Sequence, residues 1–346
     1  MNRITSRDVA RHAGVSQATV SIVLNGTETA IRVSSATRMR VLASAESLGY
    51  VPNHAAQSLR RQRTRSITFI NPSPENPYFA EVVAGAQATA EKAGYSISIA
   101  AIPTRDAAVQ ILAHLNAGTS DGVIVGSRDP RVLAALSTGM RRGLAVVALQ
   151  VDGEDLAVPV VRTDRAAGGY LATRHLLDLG HRRIAHLMDA AAYARRPTER
   201  TAGYRRALAE AGLDRNPVWI VQGANTVAGG DASMRALLEG GGPPPTAVFA
   251  FNDLMAIGAL HALRTSGLRV PEDVAVVGFD GIALGAFTTP ELTTIEQPRA
   301  EVGRRAVELV FDLLDESTSG SPAHVTLPVR LVVRESCGAS KRGRRA

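Results

Sequence analysis

From Ser66 onward the chain alternates between short apolar runs and longer amphipathic stretches, and nothing else in the sequence restricts the fold as much. The runs 67–70, 96–101, 122–125, 145–149, 184–187, 219–222, 247–250 and 274–279 read as strands, most of them rich in Val, Ile, Leu, Ala and Phe. Stretches such as 79–93 and 253–265 carry the helical period between them. Strands alternating with helices build parallel sheets covered on both sides. So many units within 346 residues predict two doubly wound subdomains, with a ligand cleft at the carboxyl ends of their strands.

The first 65 residues follow a different pattern. Thr5-Ser6-Arg7-Asp8 has capping-box spacing, and Val9, Ala10 and Ala13 follow before Gly14 stops a first helix. Val15-Ser16 opens a second helix with Ser16 as cap and Val20, Val23 and Leu24 as its buried stripe. Two helices joined by a short glycine-containing turn make a helix-turn-helix. A third helix is expected from the Ser34/Ser35 cap through Val41, Leu42, Ala45 and Leu48 to Gly49. After Tyr50-Val51-Pro52, residues 53–61 can form about two helical turns capped by Asn53, too few to be stable alone in water.

Charge separates the same regions. Residues 1–65 hold ten arginines against three acids, the last ten residues add four positive charges, and 66–336 is left at −4 of the overall +7. A basic head on a mildly acidic body suits a head that meets a polyanion, although a solvated basic face would look the same by charge alone.

Several functions are disfavoured. Hydrophobic residues make up 45% and charged residues 21%, which fits an ordinary globular chain and argues against disorder. No run of about 18 apolar residues and no apolar signal core is present, so a cytoplasmic protein without membrane contact is expected. The single cysteine, Cys337, leaves no disulfide framework or cysteine zinc cluster. Neither lysine, Lys92 or Lys341, stands in a P-loop. Gly118-Thr119-Ser120-Asp121-Gly122 spells a nucleophile elbow, but a helix precedes it and a strand follows, the reverse of what an elbow needs. Gly278-Phe279-Asp280-Gly281 closes a late strand and lacks dinucleotide spacing, and His175, His181 and His186 fit no metal motif. No enzyme, cofactor or metal is expected.

Residues 5–26, TSRDVARHAGVSQATVSIVLNG, resemble the DNA-binding head of the lactose/galactose repressor family, and 50–60, YVPNHAAQSLR, resemble its hinge helix. Further strings follow in family order, among them Asn76-Pro77-Tyr78-Phe79, Arg200-Thr201-Ala202-Gly203-Tyr204, Phe251-Asn252-Asp253 and Val276-Val277-Gly278-Phe279-Asp280, so that the likeness covers roughly 3–336. The resemblance implies a small all-α helix-turn-helix head followed by an α/β core of two doubly wound parallel-sheet subdomains, like that of periplasmic binding proteins. It also implies that Gln17, Ala18 and Ile22 read base edges while Thr5, Ser16, Thr19, Ser21 and Asn25 hold phosphates. Ser16 fits capping equally well. Ile22 stands where the family usually has arginine, which removes a guanine contact. In the hinge, Leu59 matches the leucine that wedges a central base step, beside His54; packing on the core is its other reading. Tyr78, Phe79, Asp164, Arg200, Asn225, Asn252 and Asp280 match effector-binding positions, with Asn225 replacing an aromatic residue common there. Asn252 fits a helix cap as well.

The implied organisation is a head at 1–50, a hinge and linker at 51–65, an effector core at 66–336 and a basic tail at 337–346. Within the core, one subdomain takes about 66–163 and 295–324, the other about 164–294 and 325–336. The expected function is a transcriptional regulator, a repressor by resemblance, binding double-stranded DNA at a pseudo-palindromic operator as a homodimer under control of a carbohydrate-like effector. A transporter's solute-binding protein shares the core and is the rival reading.

Overall fold

The computed structural model describes residues 4–25, 33–51, 63–101, 105–126, 130–151, 158–190, 198–213, 219–315 and 323–339. Two compact units divide the chain, residues 1–65 and 66–346.

Among the described residues, the first unit has three helices: α1 (Ser6–Ala13), α2 (Gln17–Asn25) and α3 (Ser35–Ser47). The Thr5/Asp8 capping box starts α1, and Gly14, in the left-handed region at φ 63°, ends it. Ser16 accepts the Thr19 amide at 3.1 Å, and Ser34 accepts that of Thr37 at 3.2 Å. Val9, Ala10, Ala13, Val20, Val23, Val41 and Ala45 are the buried core. Leu42, expected in that core, is instead exposed. Val41, Ala45 and Leu48 follow the i, i+4, i+7 stripe, and Leu42 lies about 100° away from it.

Among the described residues, the second unit contains two six-stranded sheets. The first comprises β1 (Ser66–Asn71), β2 (Ser96–Ala101), β3 (Gly122–Val125), β4 (Ala145–Leu149), β5 (Val160–Thr163) and β11 (His324–Leu327), in the order β11-β5-β4-β3-β1-β2. The second comprises β6 (Ile184–Asp189), β7 (Ile220–Gly223), β8 (Ala247–Ala250), β9 (Ala275–Asp280), β10 (Thr293–Glu296) and β12 (Arg330–Val332), in the order β12-β10-β9-β8-β6-β7. All pairs are parallel except β10 with β12. Helices α4 (Pro77–Lys92), α5 (Arg105–Asn116), α6 (Pro130–Ala135), α7 (Ser137–Met140) and α12 (Arg299–Leu314) belong with the first sheet, and α8 (Arg165–Asp178), α9 (Glu199–Glu210), α10 (Val227–Glu239) and α11 (Asp253–Thr265) with the second. In each lobe the strand order reverses beside its first strand, β1 or β6, and such a switch point opens a crevice at the strands' carboxyl ends.

Reciprocal glycines let three helix pairs meet closely. A Cβ on Gly85 or Gly303 would strike the backbone of the partner helix in the α4/α12 pair, and Gly169 with Gly203 do the same for α8/α9, as Gly230 with Gly258 do for α10/α11. These pairs therefore pack backbone against backbone.

The chain passes between lobes three times: after β5, after β10 and between β11 and β12. The last two passages fall later than the expected 295 and 325, because Thr293–Glu296 pairs fully with β9 and His324–Leu327 with β5. Nor does the core stop at 336. Cys337 is buried in the second lobe, and the Ser336 hydroxyl donates to the Val276 carbonyl at 2.7 Å. Four short strands, β5, β10, β11 and β12, were not expected from the pattern.

Candidate functional sites

On α2, Val20 and Val23 face the core, so Ala18, Ser21 and Ile22 fall on the outer side. Gln17 and Ala18 are exposed and Ile22 is half-buried. Thr5 is engaged in its capping box, and the hydroxyls of Ser16 and Thr19 meet at 2.9 Å. Gln17 Nε2 donates to Ser6 Oγ at 2.8 Å. Ser6 was not singled out in the sequence, where it reads only as a capping-box position; the packing of α1 beside α2 brings it to the reading face. The Asn25 side chain, His54 and Leu59 lie outside the described residues.

The second candidate site stands at the carboxyl ends of both sheets. Arg200, in the first turn of α9, lies between the Phe251 and Phe279 rings, 4.3 and 4.0 Å from their centroids. Its Nη1 donates to the Phe251 carbonyl at 2.6 Å, and Nη2 reaches Asp280 Oδ1 at 3.4 Å. Both residues are buried. Burial pulls the Arg200 guanidinium below its usual range and pushes the Asp280 carboxyl above its own, against their mutual attraction. At 3.4 Å the pair is loosely joined, and each partner keeps capacity for another polar group.

Asp280 is also where the lobes meet. Gln297 Nε2 donates to its Oδ1 at 2.7 Å, and Asn76 Nδ2, from the first lobe, reaches Oδ2 at 3.4 Å. From Gln297 a buried chain continues: Thr163 Oγ1 donates to Gln297 Oε1 at 2.5 Å, and Gln150 Nε2 donates to the Tyr78 hydroxyl at 2.6 Å and approaches Gln297 Oε1 at 3.4 Å. Burial pushes the Tyr78 hydroxyl up to about 12, so it stays protonated at neutral pH.

Of the residues expected in the cleft, Tyr78, Arg200, Asn252, Asn225 and Asp280 stand at these strand ends. Asn252 caps α11 by accepting the Met255 amide at 2.9 Å, so the capping reading holds, and its Nδ2 donates to Asn225 Oδ1. Phe79 packs edge-on against Tyr78 and Phe69. Asp164 is exposed and caps α8 by accepting the Ala167 amide at 2.8 Å. Sequence reasoning missed Asn76, Gln150, Thr163 and Gln297. Gln150 and Asp280 share one signal visible only in the backbone: both have positive φ, 55° and 117°, without being glycine. Such strain is often concentrated at functional sites.

Comparison with known proteins identifies the family of the chain. Residues 5–53 match the model of bacterial regulatory proteins of the lacI family, and 173–337 match the periplasmic binding protein-like domain. A curated relative, the HTH-type transcriptional repressor PurR of Pasteurella multocida (strain Pm70), is 35% identical over 339 residues, covering 96% of this chain and 98% of that protein. The chain belongs to the lacI family. It is a ligand-controlled DNA-binding transcriptional repressor, and its core is the two-lobed module of that family. Among solved structures, the lac repressor dimer bound to operator and the anti-inducer ONPF is 30% identical with a TM-score of 0.83, over 97% of this chain and 99% of that one. The transcriptional regulator CelR in complex with cellobiose is 34% identical with a TM-score of 0.72, over 96% and 100%. Among the described residues, no helix is long and apolar enough to cross a membrane.

Proposed function

We propose that this lacI-family repressor binds a pseudo-palindromic operator as a homodimer and is controlled by a neutral polyhydroxylated effector, a sugar or related polyol, in the cleft around Arg200 and Asp280. The observation that carries the reading is the loosely joined, fully buried Arg200–Asp280 pair. A hydroxyl can donate to the carboxylate while accepting from the guanidinium, so a polyol satisfies both partners at once. Asn252, Asn225 and Gln150 add amides with both donors and acceptors. The cellobiose seated in the related regulator CelR supports the same ligand class. Head residues Gln17, Ala18 and Ile22 read bases, Thr5, Ser16, Thr19, Ser21 and Asn25 hold phosphates, and His54 and Leu59 act in the minor groove. A transport solute-binding protein shares the core but has no use for a helix-turn-helix.

A thermal-shift screen of the full chain against sugars, polyols and nucleobases tests the ligand class. A ligand at about 100 times its dissociation constant adds about 2.7 kcal/mol to stability. A stabilising sugar should then alter operator retardation by the full chain, and a version lacking residues 1–62 should not retard DNA at all. Stabilisation by nucleobases but by no sugar or polyol overturns the ligand class; operator retardation without the head overturns the DNA reading.

A further inference from the structure

Two arginines outside the expected site each grip a backbone carbonyl of the opposite lobe. Arg165 is the first residue of α8, directly after the chain has passed into the second lobe, and Arg299 is the first residue of α12, directly after it has returned to the first. Arg165 Nη1 donates back to the Gln150 carbonyl at 2.6 Å, and Arg299 Nη1 donates back to the Asp280 carbonyl at 2.6 Å. Each guanidinium is paired from behind with a glutamate of its own lobe: Arg165 Nε donates to Glu199 Oε2 on α9 at 2.9 Å, and Arg299 Nε lies 2.8 Å from Glu81 Oε2 on α4 as an ion pair without hydrogen-bond alignment. Each glutamate stands on the helix that is locked by paired glycines to the arginine's own helix.

The two carbonyls so gripped belong to Gln150 and Asp280, both non-glycine residues with positive φ. A non-glycine residue keeps that conformation only where its surroundings over-determine it. The Arg165 side chain is buried and that of Arg299 is mostly so, which shields their bonds to the two carbonyls from bulk water more than the outward-facing glutamates are shielded. Gly281 leaves the gap through which one of them passes, since a Cβ there would lie 2.9 Å from Arg299 Nη1.

We propose that Arg165–Glu199 and Arg299–Glu81 are reciprocal interlobe latches. Each fixes the strained strand end of the opposite lobe and thereby aims Gln150 or the Asp280 carboxylate, and together they hold one hinge. Arg165 and Arg299 are positioning residues. The proposal rests on reading the cleft as the effector site, but its first test needs no ligand.

Hydrogen exchange of the full, unliganded chain is compared among the parent, Arg165→Met, Arg299→Met, and the milder Glu199→Gln and Glu81→Gln, which keep both arginines. Releasing either latch should speed exchange at Gly281, Ile282 and Gln297 by about tenfold, with the interiors of β3 and β8 unchanged. Because both latches restrain one hinge, Arg165→Met should also accelerate those amides, although Arg165 does not touch them. Arg165→Lys and Arg299→Lys, which can keep one of the two contacts, should restore part of the protection. Acceleration confined to each mutated arginine's own neighbours, or spread evenly over a whole lobe, overturns the proposal and leaves ordinary packing. Thermal shift of parent and variants with D-glucose, D-ribose and cellobiose forms the second arm. If none stabilises the parent, the ligand class proposed above fails while the exchange result still decides the latches. If one does, both arginine variants should weaken it, and unchanged affinity in both overturns their positioning role.

Discussion

Asp253 should make the second lobe lose stability as pH rises through the neutral range. It opens α11 with its carboxyl fully buried, where Oδ2 accepts the Ile282 amide at 2.8 Å and Oδ1 accepts the Thr294 hydroxyl at 2.5 Å. Burial, reinforced by the nearby Asp280 charge, pushes this carboxyl up to about 8 despite those donors. In the unfolded chain it titrates near the ordinary aspartate value of about 3.9. The folded value is the higher one, so the folded state retains a proton that the unfolded state has released. The contribution is full below about pH 4 and is lost as pH climbs through about 8. One proton costs about 1.4 kcal/mol per pH unit, and the whole window amounts to roughly 6 kcal/mol. Asp253→Asn keeps the neutral shape, with Oδ1 placed to accept from Ile282 and Nδ2 to donate to Thr294. The variant's stability relative to the parent should therefore rise by about 1.4 kcal/mol per unit from about pH 5 to about pH 8. Urea unfolding followed by the fluorescence of Trp219, the single tryptophan, reports on the lobe that holds Asp253. A difference that stays flat with pH would mean that the carboxyl is ionised throughout and that its donors outweigh desolvation.

Gly203→Ala should push α8 from α9 and cost about 1–3 kcal/mol in the same urea assay; an unchanged midpoint would show that the pair has room to spare. Ile22→Arg should shift preference at the facing base pair towards guanine by about 1–3 kcal/mol at fixed salt, and site selection that returns the same base for both variants would place residue 22 away from the groove. Leu59→Ala should weaken operator binding more than binding to random DNA, measured side by side by retardation; equal losses would make Leu59 ordinary packing.

Local rules, legible in the chain itself, determined much of this protein. Helix starts at Thr5, Ser16 and Ser34 are side-chain events within three residues, and both-face burial marks strands such as β3 and β4 directly. The strand–helix alternation then leaves little choice but two doubly wound lobes. Short strands escaped because β11 alternates between exposed and half-buried residues and β12 has only three, too little for a pattern to register. The cleft divides the same way. Arg200, Asn252 and Asp280 could be placed because each stands in a recognisable string; Asn76 opens such a string too but read there only as a neighbour of Tyr78, and Gln150, Thr163 and Gln297 are ordinary polar residues far apart in sequence. They become one network only when strand ends from two sheets converge, and Arg165 and Arg299 gain their role only from carbonyls on the opposite lobe. Periodicity and capping depend on neighbours along the chain, so sequence suffices for them; a strained backbone gripped from another lobe depends on neighbours in space, which only the tertiary structure supplies.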